Sequence, residues 1–203
     1  MRYDSEHKQR TYESILREAA SEIRLKGPDK VGVAGLMSKL GLTHGGFYAH
    51  FKSKDDLISE AVTYMLDDRL HFFNRCFADE ELSEGLTRYI DLYLSKKHRD
   101  GRERGCPAAS LASDAVRLPM DAQLNFEIGV EKLINGLADI LKTLKKPQPK
   151  SLASSIFSEM VGTIVISRAL PNSVQSDRLL SLARKNIKER LGLVSNETSD
   201  EDA

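Results

Sequence analysis

The chain has 203 residues, 40% of them hydrophobic and 30% charged, with 30 Lys and Arg balancing 30 Asp and Glu. This is too apolar for a disordered chain, and 7 Phe, 6 Tyr, no Trp, 13 Gly and 6 Pro leave too few turn signals for a sandwich or barrel. Two cysteines, Cys76 and Cys106, cannot build a disulfide framework or a four-thiolate zinc site. The charged start lacks the apolar core of a signal peptide, and no run approaches the roughly 18–20 apolar residues of a membrane span. The expectation is a soluble, cytoplasmic protein without cofactor or metal.

Charge is unevenly spread along the chain. Residues 1–54 carry ten Lys and Arg against six Asp and Glu, a net of +4, and residues 55–203 carry 20 against 24, a net of −4. Glu197, Asp200, Glu201 and Asp202 account for that deficit, so residues 194–203 read as an acidic, disordered tail. A basic head points to a polyanionic partner.

Apolar spacing is helical nearly throughout. Tyr12, Ile15, Leu16, Ala19, Ala20 and Ile23 share one face of a first helix that Gly27-Pro28 should stop. A short second helix over Val33–Leu40 ends at Gly41. Thr43 is a plausible N-cap for a third over about His44–Phe51, and Ser53 for a long fourth with Asp55 and Asp56 in its first turn. Leu82, Leu86, Tyr89, Ile90, Tyr93 and Leu94 mark a fifth helix. A Gly- and Arg-bearing loop runs from Lys96 to Gly105, and Cys106-Pro107 opens a short Ala/Ser-rich helix. Long helices follow over about 121–145, 151–170 and 176–191, separated by Pro147/Pro149 and by Pro171-Asn172-Ser173. The fold class is all-α, with a helical N-terminal head and a C-terminal helical body.

Val33 to Phe51 reads as helix, glycine turn, helix, the arrangement whose second helix enters the DNA major groove. Gly45-Gly46 weakens that second helix by roughly 1 kcal/mol per glycine relative to Ala, but small residues let a backbone approach another surface closely. Tight packing on a neighbouring helix would use them equally well. Thr43, His44, Tyr48 and His50 offer polar donors, Lys52 and Lys54 offer cations for phosphates, and Phe47 and Phe51 fall on the inward face.

The run Gly41-Leu42-Thr43-His44-Gly45-Gly46-Phe47-Tyr48-Ala49-His50-Phe51-Lys52-Ser53-Lys54-Asp55-Asp56-Leu57 resembles the signature of the TetR family of bacterial transcriptional repressors, with Tyr48, His50, Phe51, Ser53, Lys54 and Leu57 in register. The resemblance covers about residues 8–66. It implies a homodimeric repressor that binds palindromic operator DNA through residues 8–54, linked by a long helix over about 54–78 to an effector-binding and dimerisation domain over 55–193. It further implies that Thr43, His44, Gly45 and Tyr48 lie at base edges, and that Gly46, Ala49, His50 and Lys54 meet phosphates. Where the family commonly has a Thr pair, this chain has Gly32-Val33, so a backbone N–H replaces a hydroxyl there.

In the body, Tyr64, Phe72, Phe73, Tyr89, Tyr93, Phe126 and Phe157 are candidates to line a small-molecule effector pocket or to be plain core. Glu159 would meet a cationic effector or pair across a dimer interface. Leu152, Ile156, Met160 and Ile164 on one helix, with Leu179, Leu182 and Ile187 on the next, form apolar stripes that suit a dimer seam. Cys106 follows a basic loop and precedes Pro107 at a helix start, which would favour a reactive thiolate; the alternative is an inert buried thiol. A repressor released by thiol modification at Cys106 is therefore a second function. An enzyme is a third, without a GxGxxG, P-loop, HExxH, GxSxG or CxxC motif to support it. A helical protein-binding adaptor is a fourth.

Overall fold

A computed structural model describes residues 2–78 and 81–193; the acidic segment 194–203 lies outside the described residues. Among them ten α-helices form and no strand: α1 (Arg2–Lys26), α2 (Val33–Lys39), α3 (His44–Phe47), α4 (Lys54–Cys76), α5 (Leu82–Tyr93), α6 (Lys96–Asp100), α7 (Pro107–Leu111), α8 (Met120–Thr143), α9 (Pro149–Ala169) and α10 (Ser173–Leu191). Packing divides the chain into two units. One holds the chain through Phe72 together with Gly101–Leu133, and the other holds Phe73–Asp100 and the chain from Ile134 onward. The division does not fall at residue 54, because α1 packs on α7 and on a 3-10 turn over Arg102–Arg104 as well as on α2.

In the first unit α1 buries Ile15, Leu16, Ala19, Ala20 and Ile23, the face that its spacing predicts. It ends at Lys26, where Gly27 takes φ 85°, a conformation that costs glycine least, and Pro28 opens a 3-10 turn. Lys39 on α2 pairs with Glu18 and, at 3.5 Å, with Glu22, tying α2 to α1. α4 buries Leu57, Ala61, Met65 and Leu66, while Tyr64 is only half-buried. Where α4 meets α8, a Cβ on Gly129 would lie 2.5 Å from Leu66 Cδ1, so glycine is required there for close approach.

In the second unit α9 and α10 pack along each other, α10 also touches α5, and α6 packs on α9 and α5. The stretch Lys96 to Gly105, expected as loop, contains α6 and the turn over Arg102–Arg104. Side-chain bonds fix α6: Arg99 Nη1 donates to Asp177 Oδ1 (2.7 Å) and Ser176 Oγ (2.8 Å), and Arg168 donates to the carbonyls of Arg99 (3.0 Å) and His98 (2.9 Å). The Asp177 carboxyl is held below its usual range by bonds from Lys96 and then Arg99. Pro149, expected to break the preceding helix, is the first residue of α9, where its missing N–H costs nothing.

Two expectations need correction. Ile156, Met160, Ile164 and Ile187 are completely buried within the chain itself, so they are not an exposed seam. The reason is that α9 and α10 are apolar on more than one side and turn those stripes toward their own unit. The surface keeps Val165, Ile166 and Leu182 exposed and Leu152 and Leu179 half-buried. Secondly, α9, in which Glu159 and several serines argue against a span, is by length and composition alone apolar enough to cross a membrane; Ala153, Ile156, Phe157, Met160 and Ile164 are buried in its unit.

Candidate nucleic-acid interface

The recognition segment is shorter and tighter than its sequence suggests. α3 keeps α-helical form only over His44–Phe47 and continues as turns, with Ala49 N–H bonding to the Gly46 carbonyl (3.3 Å) and His50 N–H to that of Phe47 (2.9 Å). Gly45-Gly46 explains this, since glycines weaken α-helical propagation. Thr43 is the N-cap, its Oγ1 accepting from Gly46 N–H at 3.2 Å. Gly41 takes φ 69° in the turn before it, the left-handed region that glycine enters most easily.

Two phenylalanines orient the segment. Phe47 is fully buried and Phe51 nearly so; their rings stack at 5.5 Å, and Tyr12 of α1 stacks on Phe51 at 5.1 Å. Tyr12 also donates its hydroxyl to Glu60 (3.1 Å); burial, then that carboxylate, pushes the phenol up to about 12. With Phe47 and Phe51 inside, Thr43, His44, Gly45, Tyr48 and Ala49 are exposed, and Tyr48 is 61% exposed with His44 set edge-on to it at 5.9 Å. A Cβ on Gly45 would touch nothing within 4 Å, so the backbone there lies bare. Gly46 is more confined, with Thr43 Oγ1 3.4 Å from an added Cβ.

The flanks are cationic or carry backbone donors. Gly32 is the exposed N-cap of α2 with Val33 half-buried behind it. Lys54 is half-buried and donates to the Asp29 carbonyl at 3.3 Å, which aims the side chain along the turn. Ser53 caps α4 as expected, its Oγ accepting from Asp56 N–H (3.0 Å), while Asp56 accepts from Lys52 N–H (2.8 Å). His50 is half-buried with Nδ1 inside; burial, then Lys8 and His7, lowers its pKa. Sequence reasoning missed His7, Lys8 and Arg10, exposed residues on α1. His7 and Arg10 line a surface hollow of about 290 Å³ with Leu40 and Leu42. The signal that could have found them is a polar run at 7–10 just before the first apolar face.

Residues 15–61 match the sequence profile of bacterial regulatory proteins of the tetR family. Over those residues, about a quarter of the chain, the sequence is similar to the tetR family. An uncharacterized HTH-type transcriptional regulator of Bacillus subtilis, YvdT, is 33% identical over 92 residues, which take in 44% of this chain and about half (47%) of that regulator. Solved structures of a TetR-family regulator from Cytophaga hutchinsonii (TM-score 0.77, 19% identity, 93% of this chain and 96% of that one) and of Escherichia coli NemR in its reduced form (0.78, 16%, 88% and 95%) share the fold.

The remaining candidate residues of this chain fall in different places. Tyr64, Phe72 and Phe126 are half-buried in the first unit, with the Arg69 guanidinium 5.1 Å from the Phe72 ring centroid. Tyr89, Tyr93 and Phe157 are buried in the second, where Phe73 meets Tyr89 edge-on at 5.0 Å. Glu159 pairs with Arg190 of its own chain. Cys106 is the N-cap of α7, as expected, but is only 1% exposed; a reagent in solvent does not reach it directly. The Cys76 thiol is also buried, and burial pushes it up against the opposing effect of Arg88 and Arg75.

Proposed function

We propose that this chain is a cytoplasmic transcriptional repressor that binds a palindromic operator as a homodimer and is released by a small-molecule effector. The observation that carries the reading is the exposed set Thr43, His44, Gly45 and Tyr48, presented outward by the anchors Phe47 and Phe51. His44 and Tyr48 offer donors to base edges, and the bare backbone at Gly45 allows the segment to sit deep in the major groove. Thr43 already accepts from Gly46 and so keeps its hydroxyl proton for an outward acceptor. Phosphates are met by Lys54 and His50 and by the backbone at Gly46 and Ala49, with the amides of Gly32 and Val33 at the start of α2.

In this reading residues 8–54 form the DNA-binding domain and 55–193 the effector and dimer domain. The dimer uses Leu182, Leu179 and Leu152 with Val165 and Ile166, the apolar side chains that α9 and α10 leave at the surface. Tyr64, Phe72 and Phe126 contribute to the effector site. A gel-shift titration with the DNA upstream of the protein's own gene tests the reading. It expects a saturable complex with half-sites about 34–36 Å apart or a multiple of that. Affinity no better than for random DNA at matched salt would overturn it.

A further inference from the structure

Among the described residues of the first unit two charged side chains are buried, Glu22 and Arg24, and the repressor reading uses neither; of the two, Arg24 is the one left with unfilled hydrogen-bonding groups. It sits near the end of α1 and is only 6% exposed. Nη1 donates to the Glu103 carbonyl at 3.3 Å, while Nε and Nη2 are buried and meet no hydrogen-bond acceptor among the described residues. These two N–H groups form one edge of the guanidinium plane, the fork that grips two oxygens of a carboxylate or phosphate side by side. The charges around it do not satisfy it. Arg69 of α4 adds a second cation, and Asp68 is held by Arg69 at 2.6 Å. The acidic residue nearest in sequence, Glu22, is engaged by Lys26 and Lys39. Burial, then repulsion from Arg69, pulls the Arg24 guanidinium down to about 10, against attraction from Asp68, Cys106 and Tyr64. A buried cation with an unfilled fork is costly unless an anion completes it.

We propose that the Nε–Nη2 edge of Arg24 is the seat of a small oxyanion, a carboxylate- or phosphate-bearing ligand, held where α1, the Arg69 region of α4 and the 102–106 segment converge. The ligand supplies two acceptor oxygens to Arg24 and its negative charge offsets the Arg24–Arg69 pair. The site adjoins two of the aromatic effector candidates, Tyr64 and Phe72, yet it stands whether or not the chain is a repressor. Occupancy links the last turn of the head's first helix to α4, so it stiffens that junction.

The test uses the full chain with sodium acetate, sodium benzoate or sodium phosphate, each against sodium chloride at matched ionic strength. Thermal unfolding and the Nε–H nuclear resonance of Arg24 are followed together. A saturable rise in Tm with at least one oxyanion, absent in chloride, accompanied by movement of the Arg24 resonance, supports the site. Acetate or benzoate acting alone assigns a carboxylate ligand, and phosphate acting alone a phosphate ligand. Arg24→Lys keeps the charge but loses the fork, and should weaken binding at least about tenfold. Val174→Ala, at an exposed position of α10 in the other unit, should leave binding unchanged. Should Arg24→Lys fail to fold, the wild-type resonance decides alone. No saturable rise with any of the three oxyanions, an Arg24 resonance that stays still while Tm rises, or equal affinity in folded Arg24→Lys overturns the proposal.

Discussion

The recognition turn and the α9–α10 pair pose the same question, which side of a helix faces out, and answer it differently. In the turn, two aromatic anchors four residues apart, Phe47 and Phe51, leave one inward direction, and every polar residue between Thr43 and Ala49 is exposed as a consequence. In α9 and α10, apolar residues occupy more than one side, and the stripe that looks like a docking seam, Ile156, Met160 and Ile164, is core. A helix with one apolar side declares its orientation, whereas a helix with two needs its neighbours to choose.

Mutations can break that contrast, and the anchor should give the largest effect. Phe47→Ala removes a fully buried ring from the head and should cost about 3–5 kcal/mol, read by denaturant titration, with operator binding lost alongside. Ile164→Ala should cost about 2–5 kcal/mol of protomer stability because the side chain is core. Leu182→Glu, at a site 47% exposed, should leave folding nearly intact and shift sedimentation from dimer to monomer. If Ile164→Ala dissociates the dimer while folding stays unchanged, the assignment of inner and outer faces is reversed.

Within the head the roles separate more finely. His44→Ala should lose roughly 1–3 kcal/mol of discrimination at one or two base pairs per half-site, seen by comparing operator variants. Lys54→Ala should instead weaken all sequences alike and reduce the salt slope by about 0.9, since a phosphate contact carries no sequence information. Equal losses on every sequence for both variants would remove His44 from the base-reading set.

The smallest expected effect concerns pH. The folded pKa of His50 lies below its unfolded value, through burial, Lys8 and His7, so the unfolded chain binds the extra proton more readily. Stability from this group is therefore present above the unfolded value of about 6.5 and falls as pH drops below it. Thermal unfolding between pH 7.5 and 5 should show that decline, and His50→Gln should flatten it. A decline of the same size in His50→Gln would place its origin elsewhere.

What the sequence determined by itself is local. Gly27-Pro28 stops α1, Thr43 and Ser53 cap their helices, and the register of Tyr48, His50 and Phe51 carries the resemblance to the tetR family, because each depends on residues within about two turns of one another. The same reasoning placed Cys106 at the N-cap of α7, yet could not tell that its thiol is buried. Tertiary structure decided what depends on distant partners: that Lys96 to Gly105 is partly helical because Arg99 reaches Asp177 and Arg168 reaches back to it, and that Glu159 is engaged by Arg190. It also decided that Arg24 lies buried with an unfilled fork. Periodicity reports that a side is apolar, but burial is set by whatever packs on it, and that partner is fixed only when the whole chain has folded.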